Sequence, residues 1–421
     1  MNTRLKLAYG LLGAPLAMAA LPVYVYTPKL YGDEFGLGLV LTGTILLFSR
    51  AVDTLQDPWL GRLADTLQHH PDGWKRLITI AAALLAVAFV ALFNPPQLSQ
   101  GAMMAWLGIT LVVVYTAHSA INITYLAWGA RASDDQHERT QIVASREGFG
   151  LLGVIFASLL PLLIGLWLEG PARWLAFSFS FVILLLMGCW VLNRHVPQPA
   201  GQRDIHLPAT QGLLQPLRNQ AFRRLATLFL INGLAIAIAA TLSLFYIQDV
   251  LRLEQYSGLL LAAYFVSGAL SLPLWLRLSR AVGKVACWLA GSMVAVLAFV
   301  WAIQLGAGEM GAYLIICLLS GAALGVDLAM PAAIAADIIP AEEKPYSAGY
   351  FGIWSLINKA VLALAAGVAL PLLASLGYQP GQDDGLLALA LIYAGIPCLL
   401  KLISAALLWR WRHSLEVHHV T

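Results

Sequence analysis

Arg50, Asp53 and Asp57 lie within LVLTGTILLFSRAVDTLQDPWLG, one of the most apolar stretches of the chain. Their spacings of three and four put all three side chains on one face of a helix. A charge at bilayer depth costs on the order of several kcal/mol, so it turns toward a protein interior or a wet cavity and marks an ion or substrate path. Two carboxylates offer hard oxygen ligands to a small cation, or a site for a proton. A guanidinium on the same stripe can keep the acids ionised when that cation leaves. The competing structural role is that Asp57, beside Pro58, ties its span to the loop that follows. Transport is the chemistry that this pattern favours.

The elements around the stripe must then be membrane spans. Hydrophobic residues make up 60% of the 421 and charged residues only 11%, where soluble domains carry roughly 25% charged. The mean hydropathy is +0.76. A net charge of +3 gives no reason to expect a nucleic-acid partner. Cys189, Cys287, Cys317 and Cys398 all fall in apolar runs, with no disulfide or metal spacing, and read as small buried hydrophobes. The sequence carries no phosphate-cradling glycine motif and no catalytic triad, so neither an enzyme nor an organic cofactor is expected.

Windows of about 20 apolar residues fall at 6–28, 37–61, 76–95, 101–130, 141–168, 174–194, 223–248, 257–279, 283–305, 309–337, 347–376 and 385–409. Twelve spans put both termini on one side. Loops and span ends on that side hold eighteen Lys and Arg residues, against Lys29, Arg173 and Arg252 opposite. This bias predicts cytoplasmic termini in a bacterial inner membrane. The first span lacks an A-x-A-like cleavage site and is read as retained. The longest polar interruption, residues 195–221, reads as a linker between an N-terminal bundle (1–194) and a C-terminal bundle (222–421) of six helices each.

The halves repeat each other faintly. At an offset of 215, DPWLGRLAD matches LPLWLRLSR; Pro58 meets Pro273, while Asp53 meets Gly268 and Asp57 meets Leu272. At an offset of 205, Asn122 meets Asp327. The acid pair therefore belongs to one half.

Four segments carry a wider likeness: KLAYGLLG, SRAVDTLQDPWLGRLAD, NITYLAWGARASDDQHERTQIVASREGFG and FGIWSLINKA. With the twelve spans, they make the chain resemble the glycoside–pentoside–hexuronide:cation symporters of the major facilitator superfamily. The resemblance implies an all-α membrane fold of two six-helix bundles. It also implies that Asp53 and Asp57 bind the coupling cation, sodium or a proton; with sodium they are its metal ligands. By the same route Ser119 falls at a hydroxyl position near the cation, and Asn122 where cation or sugar binds. Arg146 matches a basic residue near the substrate, and Lys359 a lysine facing the central cavity. Arg146 and Lys359 are also isolated charges in apolar helices, which by itself calls for a wet or paired environment.

The first span departs from the family's sugar permeases. Between Tyr9 and Tyr24 it has no acid to hold sugar hydroxyls, and Thr124 replaces the usual proline after N-I. Asp327 either lines the cavity or caps a helix break near Pro331. Tyr125 and Trp354 could stack on a substrate or could be packing aromatics. Glu147 reads as a local partner of Arg146 or an interface residue, and His118 as a structurally satisfied histidine. Asp65, Arg62, Lys75, Asp134, Asp135, Glu138 and Arg139 are expected to form gate salt bridges. The sequence thus predicts a monomeric, cation-coupled carrier of a small solute, possible classes being sugars and glycosides, embedded in membrane lipid. Arg50, Asn122, Arg146 and Lys359 would shape its cavity. A lysolipid carrier of the same fold and a non-transporting membrane sensor or scaffold are the alternatives.

Overall fold

The computed structural model describes residues 3–31, 35, 37, 39–133, 135–199, 215–378 and 382–416. Asp134 and most of the expected linker (residues 200–214) lie outside them. The described residues are helical in succession: α1 (Thr3–Gly10), α2 (Gly13–Lys29), α3 (Leu39–Leu67), α4 (Gly73–Phe93), α5 (Gln100–Arg131), α6 (Gln136–Gly165) and α7 (Gly170–His195). After the linker come α8 (Gln220–Phe245), α9 (Ser257–Val282), α10 (Lys284–Phe299), α11 (Met310–Asp337), α12 (Ser347–Ser375), α13 (Leu386–Ala390) and α14 (Ile396–Leu415). Among the described residues, ten helical stretches are long and apolar enough to cross a membrane. The protein is a multi-pass integral membrane protein.

α2 and α3 are not among those ten. α3 is long enough, but Arg50, Asp53, Asp57, Arg62 and Asp65 interrupt its apolar run. The residues that make it informative are what lower its hydropathy. Its two faces differ sharply: Leu47, Phe48, Leu55 and Trp59 are exposed, whereas Asp53 and Asp57 are buried. Apolar exposure on one side and buried charge on the other is the pattern of a span that shields its ionisable groups from lipid.

The expected first span, 6–28, is broken at Leu11–Leu12 into α1 and α2. Glycines flank the break because α6 comes very close there. A Cβ on Gly10 would stand 2.2 Å from the Ser145 hydroxyl, and one on Gly13 would stand 2.5 Å from the Arg146 carbonyl. Three other expected spans are α-helical for only part of their length: α8 continues as a π-helical turn over Tyr246–Val250, α10 as a 3-10 turn over Val300–Ile303, and a second π-helical turn, Leu391–Gly395, joins α13 to α14.

By its contacts the chain divides into two units. The first comprises Met1–Pro216 with Ile339–Leu356, and the second Leu217–Ile338 with Ile357–Thr421. α12 therefore begins in one unit and ends in the other. Within the first unit, α3 and α4 pack on α5, and α2 and α4 pack on α7. The second unit repeats that order, with α9 and α10 on α11, and α8 and α10 on α14. The repeated packing agrees with the sequence repeat and makes α5 and α11 counterparts.

Candidate functional site

In the first unit, the pitch of α3 brings Asp53 and Asp57 to the same buried side. Asp57 is fully enclosed and Asp53 is 7% exposed. Pro58 follows directly; lacking an N–H, it cannot close the helical hydrogen bond onto the Thr54 carbonyl between the two acids. The Ser119 hydroxyl of α5 donates to Asp53 Oδ1 at 3.0 Å. Gln56 Nε2 approaches the same oxygen at 3.4 Å, and its Oε1 accepts from Thr116 Oγ1 at 2.9 Å. Arg50 is half-buried one turn before Asp53, and both lie within electrostatic reach of Tyr115 on α5.

One turn beyond Ser119, Asn122 Oδ1 accepts from the Arg146 guanidinium of α6 at 2.6 Å. Arg146 is also ion-paired with its neighbour Glu147, which makes Glu147 a local partner, one of the two roles its position suggests. The guanidinium carbon lies 5.7 Å from the centroid of the Tyr125 ring. Tyr125 itself is fully buried, with its centroid 4.3 Å from that of Tyr9. Their hydroxyls reach each other's backbone carbonyls: Tyr9 donates to the Tyr125 carbonyl at 2.6 Å, and Tyr125 returns the bond to that of Tyr9. α5 thus presents a hydroxyl to the acid of α3 and, three residues on, an amide to the base of α6. His118 lies on a different side of α5, within hydrogen-bond distance (3.0 Å) of the Leu16 carbonyl.

The start of α12 packs tightly on α3 within this unit. A Cβ on Gly352 would meet the Asp57 carbonyl at 2.7 Å, so the FGIWS segment needs glycine there. Trp354, on the same stretch, is buried. The expected gate charges make other bonds as well as ion pairs. The Asp65 carboxylate accepts the Ala348 N–H at 2.9 Å and the Gly349 N–H at 2.7 Å, capping the N-terminus of α12. Asp135 caps α6 through the Glu138 N–H. Arg139 donates to the Ser133 carbonyl at 2.9 Å, while Lys75 pairs with Asp72 at 3.3 Å and Lys6 with Glu138 at 3.7 Å.

In the second unit, Lys359 is half-buried on α12. Asp327 is buried in a cluster of side chains from four helices. Its Oδ1 accepts from Asn232 of α8 at 3.0 Å and from the Trp288 indole of α10 at 2.9 Å. Its Oδ2 accepts from Lys401 of α14 at 2.7 Å, and Lys401 also donates to Asn232 Oδ1 at 3.0 Å. The sequence signals this cluster only through Asn232 and Lys401, isolated polar residues in otherwise apolar spans.

Residues 8–414 match the family described as MFS/sugar transport protein. The chain belongs to this family. It is 22% identical over 289 residues to the inner membrane symporter YicJ of Escherichia coli (strain K12), a match covering 65% of this chain and 61% of YicJ. It is 21% identical over 410 residues to the glucuronide carrier protein homolog of the same organism, covering 93% of this chain and 88% of that protein. A shorter match, 27% identical over 165 residues, covers 39% of this chain and 34% of the isoprimeverose transporter of Lactiplantibacillus pentosus.

Solved structures share the fold. A bacterial homologue of the iron transporter ferroportin, in an outward-facing state, superposes with a TM-score of 0.75 at 16% identity, covering 98% of this chain and all of that one. The E. coli fucose:proton symporter FucP superposes at 0.64 and 14% identity, covering 94% and 98%. The family-wide match fits the likeness carried by the charged stripe and the FGIWSLINKA segment.

Proposed function

We propose that this chain is a cation-coupled symporter that moves a sugar or glycoside by alternating access. Asp53 and Asp57 carry this reading: two buried carboxylates on successive turns of a lipid-facing helix, with the Ser119 hydroxyl on one of them. They are the proposed ligands of the coupling cation, sodium or a proton, together with Ser119 and Asn122. Arg50, Asn122, Arg146, Trp354 and Lys359 are the proposed substrate residues, with Tyr125 beside Arg146; Asp327, a cavity candidate from its place in the sequence, has both carboxylate oxygens taken by Asn232, Trp288 and Lys401 and is left out of the proposed substrate set. The relatives named as symporters and as glucuronide and isoprimeverose carriers support a glycoside class of cargo over a lysolipid. The proposed architecture is twelve spans in two six-helix bundles, 1–194 and 222–421. Both termini are cytoplasmic in a bacterial inner membrane, and the protein works as a monomer.

Coupling follows from differential affinity. A cation that neutralises the acids stabilises the substrate-competent state, and each ligand strengthens the other by the same factor. The test is the thermal stability of purified protein with a panel of glycosides, lysolipids and free sugars, in sodium and in choline, across pH. A glycoside that stabilises more strongly when sodium or a proton is also bound is the expected result. Stabilisation by lysolipid alone, indifferent to cation, would sink the proposal.

A further inference from the structure

The cluster around Asp327 is not needed by the coupling chemistry above. Burying an ion pair gains little over apolar packing unless its remaining hydrogen bonds are satisfied, and in a bilayer such groups are rare without a function. This pair is well satisfied. The Asp327 carboxylate accepts from three side chains on three other helices, and Lys401 finds both a carboxylate and an amide oxygen. The Asn232 amide is held in one orientation: its nitrogen serves Asp327, which aims its oxygen at the ammonium. Pro331 lacks the N–H that would close the helical bond onto the Asp327 carbonyl, so α11 is opened at the same place. Carboxylate and amide oxygens are hard ligands, and here one of each converges on a single positive charge, Asp327 Oδ2 at 2.7 Å and Asn232 Oδ1 at 3.0 Å.

The internal repeat sharpens the point. α9 has Gly268 and Leu272 where α3 has its two acids, and the second unit's carboxylate is on α11, at the repeat position that Asn122 holds on α5. The second unit carries its acid on a different helix and pairs it with the Lys401 ammonium of α14.

We propose that Asp327 and Asn232, with Trp288 fixing the carboxylate, form a monovalent-cation site that the protein fills with the tethered ammonium of Lys401. The site accepts sodium, lithium or a small alkylammonium once that ammonium is removed. While Lys401 is present the second unit takes up no ion, so the cycle carries cations through the first unit alone. Tyr264 and Cys398 also lie within electrostatic reach of the pair.

The test uses full-length protein carrying Asp53→Asn throughout, so that its outcome is independent of the first unit's proposed cation site. Lys401→Ala is compared with Lys401→Ala/Asp327→Asn and with Lys401 intact, in choline, sodium, lithium and methylammonium. Lys401→Ala is expected to be less stable in choline. Its melting temperature should rise by about 3 °C at roughly a hundredfold excess of a cation that fits over its Kd, a gain absent from the other two proteins. Equal responses in the single and double variants would overturn the assignment. So would a Lys401→Ala protein that folds in none of these cations while the double variant folds, which is the behaviour of a purely structural pair. Recovery by low pH alone, in every cation alike, would make the cluster a proton site and equally contradict the proposal.

Discussion

The Ser119 hydroxyl donates to Asp53 at 3.0 Å, tying α5 to the charged face of α3. A hydrogen bond to a charged group contributes about 1.5–3 kcal/mol. Ser119→Ala should therefore raise the cation concentration for half-maximal uptake by about tenfold or more, with Ser119→Thr near the native value. Cation titration of uptake in vesicles checks this; unchanged cation dependence in Ser119→Ala would remove Ser119 from the site.

Asn122 accepts from Arg146 at 2.6 Å, and the guanidinium lies beside the Tyr125 ring. Asn122→Ala leaves that donor without its amide acceptor at a cost of about 1–3 kcal/mol, and should weaken substrate binding more than it lowers the melting temperature. Asn122→Asp keeps an acceptor and should retain binding. Arg146→Lys should not substitute, because a point charge cannot reproduce the planar contacts to Asn122, Glu147 and the ring. Calorimetric binding beside a melting curve separates these effects.

Gly352 lets α12 approach the Asp57 carbonyl, where a Cβ would stand at 2.7 Å. Gly352→Ala forces backbone apart at an expected cost of about 1–3 kcal/mol. Ala348→Gly, at a neighbouring contact, removes a methyl and should be milder. Melting temperatures in detergent decide between them.

Asp65 caps α12 through two backbone N–H groups. Asp65→Asn keeps a side-chain acceptor but loses the charge that favours a helix N-terminus, while Asp65→Ala loses both, at about 0.5–2 kcal/mol. Stability should fall in the order Asp65, Asn, Ala. Equal stability of all three would show that the cap contributes nothing.

The residues that spacing reveals and those it hides differ for a physical reason. Arg50, Asp53 and Asp57 share one helix, so period alone places them on one face, and the structure buries both acids there. Asp65 reads as an ion-pair partner because side-chain charge is visible in sequence, whereas the backbone donors of Ala348 and Gly349 are not. The break at Leu11–Leu12 was hidden because hydropathy averages over a turn, although Gly10 and Gly13 mark it. The Asp327 cluster depends on contacts 95, 74 and 39 residues apart, beyond any local periodicity. Only the isolation of Asn232 and Lys401 in apolar helices pointed toward it.

The proposed cation site at Asp53 and Asp57 is decided by uptake of a bound glycoside into vesicles containing Asp53→Asn protein, with and without an inward cation gradient. Uphill accumulation should disappear while downhill exchange of the same glycoside persists. Uphill accumulation that survives with its cation dependence unaltered would contradict the claim.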